Sequence, residues 1–283
     1  MTHTTLLDTA TLAAHLDDPD WVVLDCRFDL ANTSWGEAEY AAAHLPGAAC
    51  AHLDRDLSGP LTGANGRHPL PDPAALAARL GQWGIGPRTQ VVAYDQDTGM
   101  YAARLWWLLR WLGHPAVAVL AGGWAQWQRE ARPTTTAVPR RAPADFTPRP
   151  QPRLAAEAAE VGRLRADPTY RLIDVRVFER FRGEWEPLDP VAGHIPGAVN
   201  FSIKQAFTPA AAWLPPVELR AKLLARLGGV PPERAVLYCG SGVTAAQGVL
   251  AFEHAGLPGA RIYPGSWSEW IADPAHPIAT GGE

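Results

Sequence analysis

Four short motifs occur twice in this chain, in the same order, and that repetition constrains its fold more than any other feature. V-V-L-D-C-R at 22–27 and A-H-L-P-G-A at 43–48 return as L-I-D-V-R at 172–176 and G-H-I-P-G-A at 193–198. V-V-A-Y-D at 91–95 parallels A-V-L-Y-C at 235–239, and A-G-G-W-A-Q-W at 121–127 parallels P-G-S-W-S-E-W at 264–270. The copies are offset by roughly 145 residues, too regular for chance, so the chain reads as a duplicated domain. Residues 132–153 lie between the copies, rich in Pro, Arg, Thr and Ala and without apolar periodicity, the composition of an extended linker. The expected organisation is residues 1–131, a linker at 132–153, and residues 154–283.

Each copy alternates short β-rich runs with helical patterns. In the second copy, residues 155–166 and 242–255 suit helices. Residues 216–227 place Val217, Leu219, Leu223, Leu224 and Leu227 at helical spacing behind a proline. Residues 171–175, 235–238 and 261–263 read as strands, and 267–271 as a short helix. This alternation predicts an α/β fold, two mainly parallel sheets flanked by helices, with ligands bound at the carboxyl ends of strands.

With 283 residues, 47% of them hydrophobic, each copy can bury a core. The net charge is -4 and no basic stripe stands out, which argues against a nucleic-acid partner. No apolar run approaches membrane-spanning length, and residues 1–20 lack the features of a secretion signal, so the cytoplasm is the expected location and no membrane partner is expected. Three dispersed cysteines, Cys26, Cys50 and Cys239, with no C-x-x-C, fit neither a disulfide framework nor a zinc site.

Cys239 stands apart. It falls at the carboxyl end of a predicted strand and is followed by Gly240, Ser241, Gly242, Val243 and Thr244, then by a helix. Small residues let the backbone curl around the sulfur so that successive N–H groups form an anion-binding nest. The helix N-terminus adds about half a positive charge. Both favour an anionic sulfur, the reactive form, and could hold the outer sulfur of a persulfide. Cysteine phosphatases use a similar cradle but need an arginine six positions on to clamp phosphate, and that position is Ala245. Phosphatase or arsenate reductase-like chemistry is thus the weaker reading, and a non-enzymatic persulfide carrier is another alternative.

C-G-S-G-V-T-A at 239–245 resembles the active-site loop of the 3-mercaptopyruvate sulfurtransferases in the rhodanese family. The paired D-x-R, H-[LI]-P-G-A and Trp motifs resemble that family across essentially the whole chain. The resemblance implies two tandem rhodanese-like domains, with catalysis in the C-terminal one. Asp95 stands where the N-terminal copy would carry its nucleophile.

The resemblance also implies residue roles. Cys239 is the nucleophile. Ser241 matches a loop serine that works with a histidine and an aspartate; His68, in R-H-P-L-P, resembles that histidine, and Asp56, or else Asp54, resembles the aspartate. Arg180 matches an arginine that binds the donor carboxylate, with Arg182 as its substitute, while Gly240, Gly242, Val243 and Thr244 form the cradle. The duller reading of Arg180 pairs it with Glu179 or Glu184. A second family arginine is replaced here by Leu188, and the basic loop residues of thiosulfate sulfurtransferases are replaced by Gly240 and Ser241. The expected donor is 3-mercaptopyruvate, with thiosulfate as the alternative. The acceptor is a thioredoxin-like protein, a low-molecular-weight thiol or cyanide, and no cofactor or metal is expected. Asp174 with Arg176, and His44 with His194, read as structural. Cys26 and Cys50 read as core residues, and Trp106, Trp107 and Trp111 as the packing face of an amphipathic helix.

Overall fold

The protein is described here by a computed structural model covering residues 2–282. Two compact units emerge. One comprises the chain up to Gly59 together with Pro71–Gln151; the other comprises Pro60–Leu70 together with the chain from Pro152 onward. The second unit therefore includes a segment from the first sequence copy.

In the first unit the strands are β1 (Leu6–Leu7), β2 (Trp21–Asp25), β3 (Ala48–Cys50), β4 (Gln90–Tyr94) and β5 (Val117–Leu120). They form a parallel sheet of order β1-β5-β4-β2-β3. Its helices are α1 (Thr9–Ala13), α2 (Trp35–Ala42), α3 (Leu53–Asp56), α4 (Pro73–Gln82), α5 (Met100–Trp111) and α6 (Gly123–Arg129). α4 begins where Asp72 accepts from the N–H groups of Ala74 and Ala75 and Pro73 supplies a pre-set φ. α5 is buried almost all round rather than on one face: Leu105, Trp106, Leu108 and Leu109 are fully enclosed. It is a central helix, not the amphipathic one that its tryptophan spacing predicts.

The second unit contains α7 (Ala158–Leu164), β6 (Arg171–Asp174), α8 (Phe178–Arg182), β7 (Val199–Asn200), α9 (Pro216–Leu227), β8 (Ala235–Tyr238), α10 (Val243–His254), β9 (Arg261–Ile262) and α11 (Ser266–Trp270). The strands are parallel in the order β7-β6-β8-β9. β8 lies inside the sheet, fully buried, so the loop after it opens at the sheet's carboxyl edge. α8 and β7 are elements that the periodicity does not reveal; both are too short to show a pattern.

The duplication extends to hydrogen bonds. Arg27 grips Asp25 and donates to the carbonyl of Ala43; Arg176 grips Asp174 and donates to that of Gly193. Each guanidinium lies under a tryptophan, Trp124 at 4.4 Å and Trp267 at 4.8 Å. His44 and His194 each bond a backbone carbonyl at 2.7 Å, those of Tyr40 and Phe181. These residues brace the sheet ends, as their occurrence in both copies predicts.

Residues 132–151 run extended along the first unit, to which they are tied. Thr135 exchanges backbone bonds with His44, the N–H of Ala144 bonds the Gly81 carbonyl, that of Arg149 bonds Leu112, and that of Gln151 bonds Trp111. A linker composition thus conceals a strap: a proline-rich chain held by backbone hydrogen bonds at several points along the domain surface.

Candidate active site

Cys239 follows β8 directly, and the chain then turns through Gly240, Ser241 and Gly242 into α10. The Sγ accepts from the N–H of Gly242 at 3.1 Å and from that of Ser241 at 3.4 Å. Cys239 is only 2% exposed. The turn depends on glycine. Gly242 has φ +81°, and a Cβ there would lie 2.2 Å from the carbonyl oxygen of Pro264. α11 closes the loop from behind, through Trp267 N–H to the Cys239 carbonyl at 3.0 Å and Ser268 N–H to that of Gly240 at 2.9 Å. The Ser266 hydroxyl accepts from the Cys239 N–H at 3.1 Å. Val243 and Thr244 form the first turn of α10, the former buried and the latter partly exposed.

His68 is carried into this site by the segment Pro60–Leu70. Its Nδ1 lies 2.7 Å from the Ser241 Oγ, and both residues are buried. The third expected member, Asp56, sits at the end of α3 in the first unit. It accepts from the N–H of His52 at 2.8 Å and pairs with Arg79 at 2.9 Å.

Arg180, on α8, pairs with Glu186 through Nε and Nη2 and with Asp189 through Nη2 at 2.9 Å. Glu179 and Glu184 are not its partners; Glu184 pairs with Arg182 instead. Burial works to raise the Glu186 carboxyl, but the hydrogen bonds from Arg180 prevail and hold it below the usual range. At Asp189 burial prevails over the pull of Arg67 and Arg180, and its carboxyl is pushed up. Arg67, one residue before His68, bonds Asp189 through Nη1. Sequence reasoning missed Arg67, because only the fold brings residue 67 to the Cys239 loop. The R-H-P-L-P motif held the signal, read for its histidine alone. Leu188, half-exposed, lines an apolar pocket with Leu61, Pro190 and Ile271 beside the Arg67–Asp189 pair.

The other thiols are suited to different roles. Cys26 is buried and burial pushes its thiol far up. Cys50 is only partly buried, unlike the core residue expected, yet burial still pushes its thiol up to about 12. In the first unit the position corresponding to Cys239 is taken by Asp95, directly after β4. Its carboxylate accepts from the N–H groups of Gly99 at 2.9 Å and Tyr101 at 2.8 Å, with longer bonds from Asp97 and Ala102. Trp124 N–H closes on the Asp95 carbonyl, as Trp267 does on that of Cys239.

Among the described residues no cluster of side chains could hold a metal ion, and no helix is long and apolar enough to cross a membrane.

Tandem parallel α/β units, each with a cradle at the end of an interior strand and one cradle built around a cysteine, define the class. A family profile described as a rhodanese-like domain matches residues 8–130 and 157–273, and the chain belongs to the rhodanese family. It is 47% identical over 283 residues to a Pseudomonas aeruginosa protein named "Probable 3-mercaptopyruvate sulfurtransferase", covering 99% of this chain and 100% of that one. It is 34% identical to the human 3-mercaptopyruvate sulfurtransferase, covering 86% and 82%. The crystal structure of the Escherichia coli 3-mercaptopyruvate sulfurtransferase SseA superimposes with a TM-score of 0.81 at 30% identity, covering 94% of this chain and 100% of that one.

Proposed function

We propose that this chain is a sulfurtransferase that moves sulfur from 3-mercaptopyruvate to a thiol through a persulfide on Cys239. The observation that carries the reading is the pair of N–H groups directed at the Cys239 Sγ, at the end of an interior strand. The names of the relatives support the same donor.

The thiolate attacks the donor sulfur. The new bond joins the two sulfurs, and the carbon–sulfur bond breaks with its electron pair passing into the enolate of pyruvate. The proton of the donor thiol ends on the enolate carbon, giving pyruvate and leaving the outer sulfur as an anion in the cradle. Ser241 and His68 carry that proton. Arg180 meets the donor carboxylate. In the second half-reaction an acceptor thiol attacks the outer sulfur, Cys239 leaves as thiolate, and a new persulfide departs, a ping-pong cycle. The acceptor is a low-molecular-weight thiol or a thioredoxin-like protein. A reducing compartment such as the cytoplasm keeps both acceptor and Cys239 as thiols. The C-terminal unit performs the chemistry, and the N-terminal unit, with Asp95 in place of the nucleophile, serves as scaffold.

Steady-state sulfur transfer with 3-mercaptopyruvate and thiosulfate side by side, for wild type and Cys239→Ser, tests the reading. A higher kcat/KM for mercaptopyruvate, abolished in the variant, is expected. A preference for thiosulfate overturns the donor, and activity surviving in the variant overturns the mechanism.

A further inference from the structure

Arg180 commits Nε and Nη2 to Glu186 and Asp189, and among the described residues its Nη1 makes no bond. Arg67 commits Nη1 to Asp189, and its Nη2 makes none. Both guanidiniums face one spot. A Cβ built on Gly240, the residue after Cys239, would lie 2.7 Å from the Arg67 Nη2, and 3.4 Å and 3.5 Å from the Arg180 Nη2 and Nη1. One buried carboxylate, Asp189, whose side chain is 2% exposed, thus sets the spacing of two guanidiniums over the glycine beside the nucleophile.

The backbone of Arg67 is pinned as well. Its N–H bonds the Ser268 hydroxyl at 3.0 Å, on the helix that closes the Cys239 loop. Gly66 before it has φ +79° and no room for a Cβ, which would meet the Gly265 carbonyl at 2.7 Å. Leu188 and Pro190 line a pocket together with Arg67 and Asp189. A carboxylate has two oxygens, and a guanidinium meets each of them with directed N–H groups.

We propose that Arg67 is a donor-binding residue which, together with Arg180 across Gly240, clamps the carboxylate of the sulfur donor; this rests on the sulfurtransferase reading. The clamp sets selectivity for anionic donors, and Arg67 contributes binding rather than sulfur chemistry. Arg67 is about one-third exposed, and in its absence the buried Asp189 keeps Arg180 as a partner.

The test compares wild type, Arg67→Gln and Arg67→Lys in two assays. In steady state with 3-mercaptopyruvate, Arg67→Gln should raise KM about tenfold or more with kcat little changed, the loss expected from one charge-assisted hydrogen bond, and Arg67→Lys should recover part of it. In single-turnover alkylation of Cys239, Arg67→Gln should slow anionic iodoacetate about tenfold relative to wild type, while neutral iodoacetamide reacts at the wild-type rate. An unchanged rate ratio between the two reagents overturns the proposal, as does an equal slowing of both, which marks a structural role. If wild type fails to turn over mercaptopyruvate, the donor reading falls, and the alkylation ratio still decides whether Arg67 binds anions there.

Discussion

The Ser241 Oγ lies 2.7 Å from the Nδ1 of His68, joining residues 173 positions apart. The hydroxyl stands two residues from Cys239, and in the proposed cycle it passes a proton between donor thiol and enolate. Ser241→Ala and His68→Gln should each lower kcat about a hundredfold, a typical loss for general acid–base catalysis, while donor KM moves little. Stopped-flow measurement of pyruvate release checks this. A normal burst with slow turnover would instead assign the pair to the acceptor step.

The two loop glycines should fail differently. Gly242→Ala drives a Cβ to 2.2 Å from the Pro264 carbonyl at φ +81°, and backbone cannot yield cheaply. It should cost about 1–3 kcal/mol of stability and abolish transfer by turning an N–H away from Sγ. Gly240→Ala meets only the ends of two arginine side chains. It should keep its Tm and lose affinity for anionic donors. Thermal unfolding beside donor titration separates the two.

Asp174 and Arg176 form a buried pair with side chains 0% and 2% exposed. Asp174→Ala leaves the buried guanidinium only Glu186, at 3.3 Å, and the Gly193 carbonyl, and should destabilise the protein by about 3 kcal/mol. Asp174→Asn, which keeps an acceptor, should cost less. Urea unfolding of both variants is the measurement.

Asp95 makes stability depend on pH. Burial pushes its carboxyl up to about 6 despite its backbone hydrogen bonds, from an ordinary value of 3.8. The folded state therefore holds this proton more tightly than the unfolded state. The stabilisation from protonated Asp95 is complete below the ordinary value and is lost as pH rises through about 6. Between pH 4 and pH 7 this one group should remove on the order of 2 kcal/mol. In Asp95→Asn that component of the pH dependence should vanish, which chemical denaturation across the range would reveal.

Much of this was legible in the sequence, for identifiable reasons. The interior strands β4 and β8 are short apolar runs ended by residues with a task, and α9 follows its proline and leucine spacing to the residue. The cradle around Cys239 was legible because it needs a local signal, small residues between a strand and a helix. Arg67 and Asp189 were not, since their meeting across 122 positions leaves no periodicity in the chain. The strap at residues 132–151 was hidden because its bonds are made by backbone, which composition does not record.

The placement of Pro60–Leu70 in the second unit bears on how this molecule can be divided. A gene cut between the repeats would give a second half holding Cys239 but neither His68 nor Arg67. The cysteine-bearing half is therefore not a portable cassette, although it carries a complete copy of the repeat. The first copy thus lends eleven residues to a unit otherwise built from the second, and the surroundings of Cys239 are incomplete without the loan.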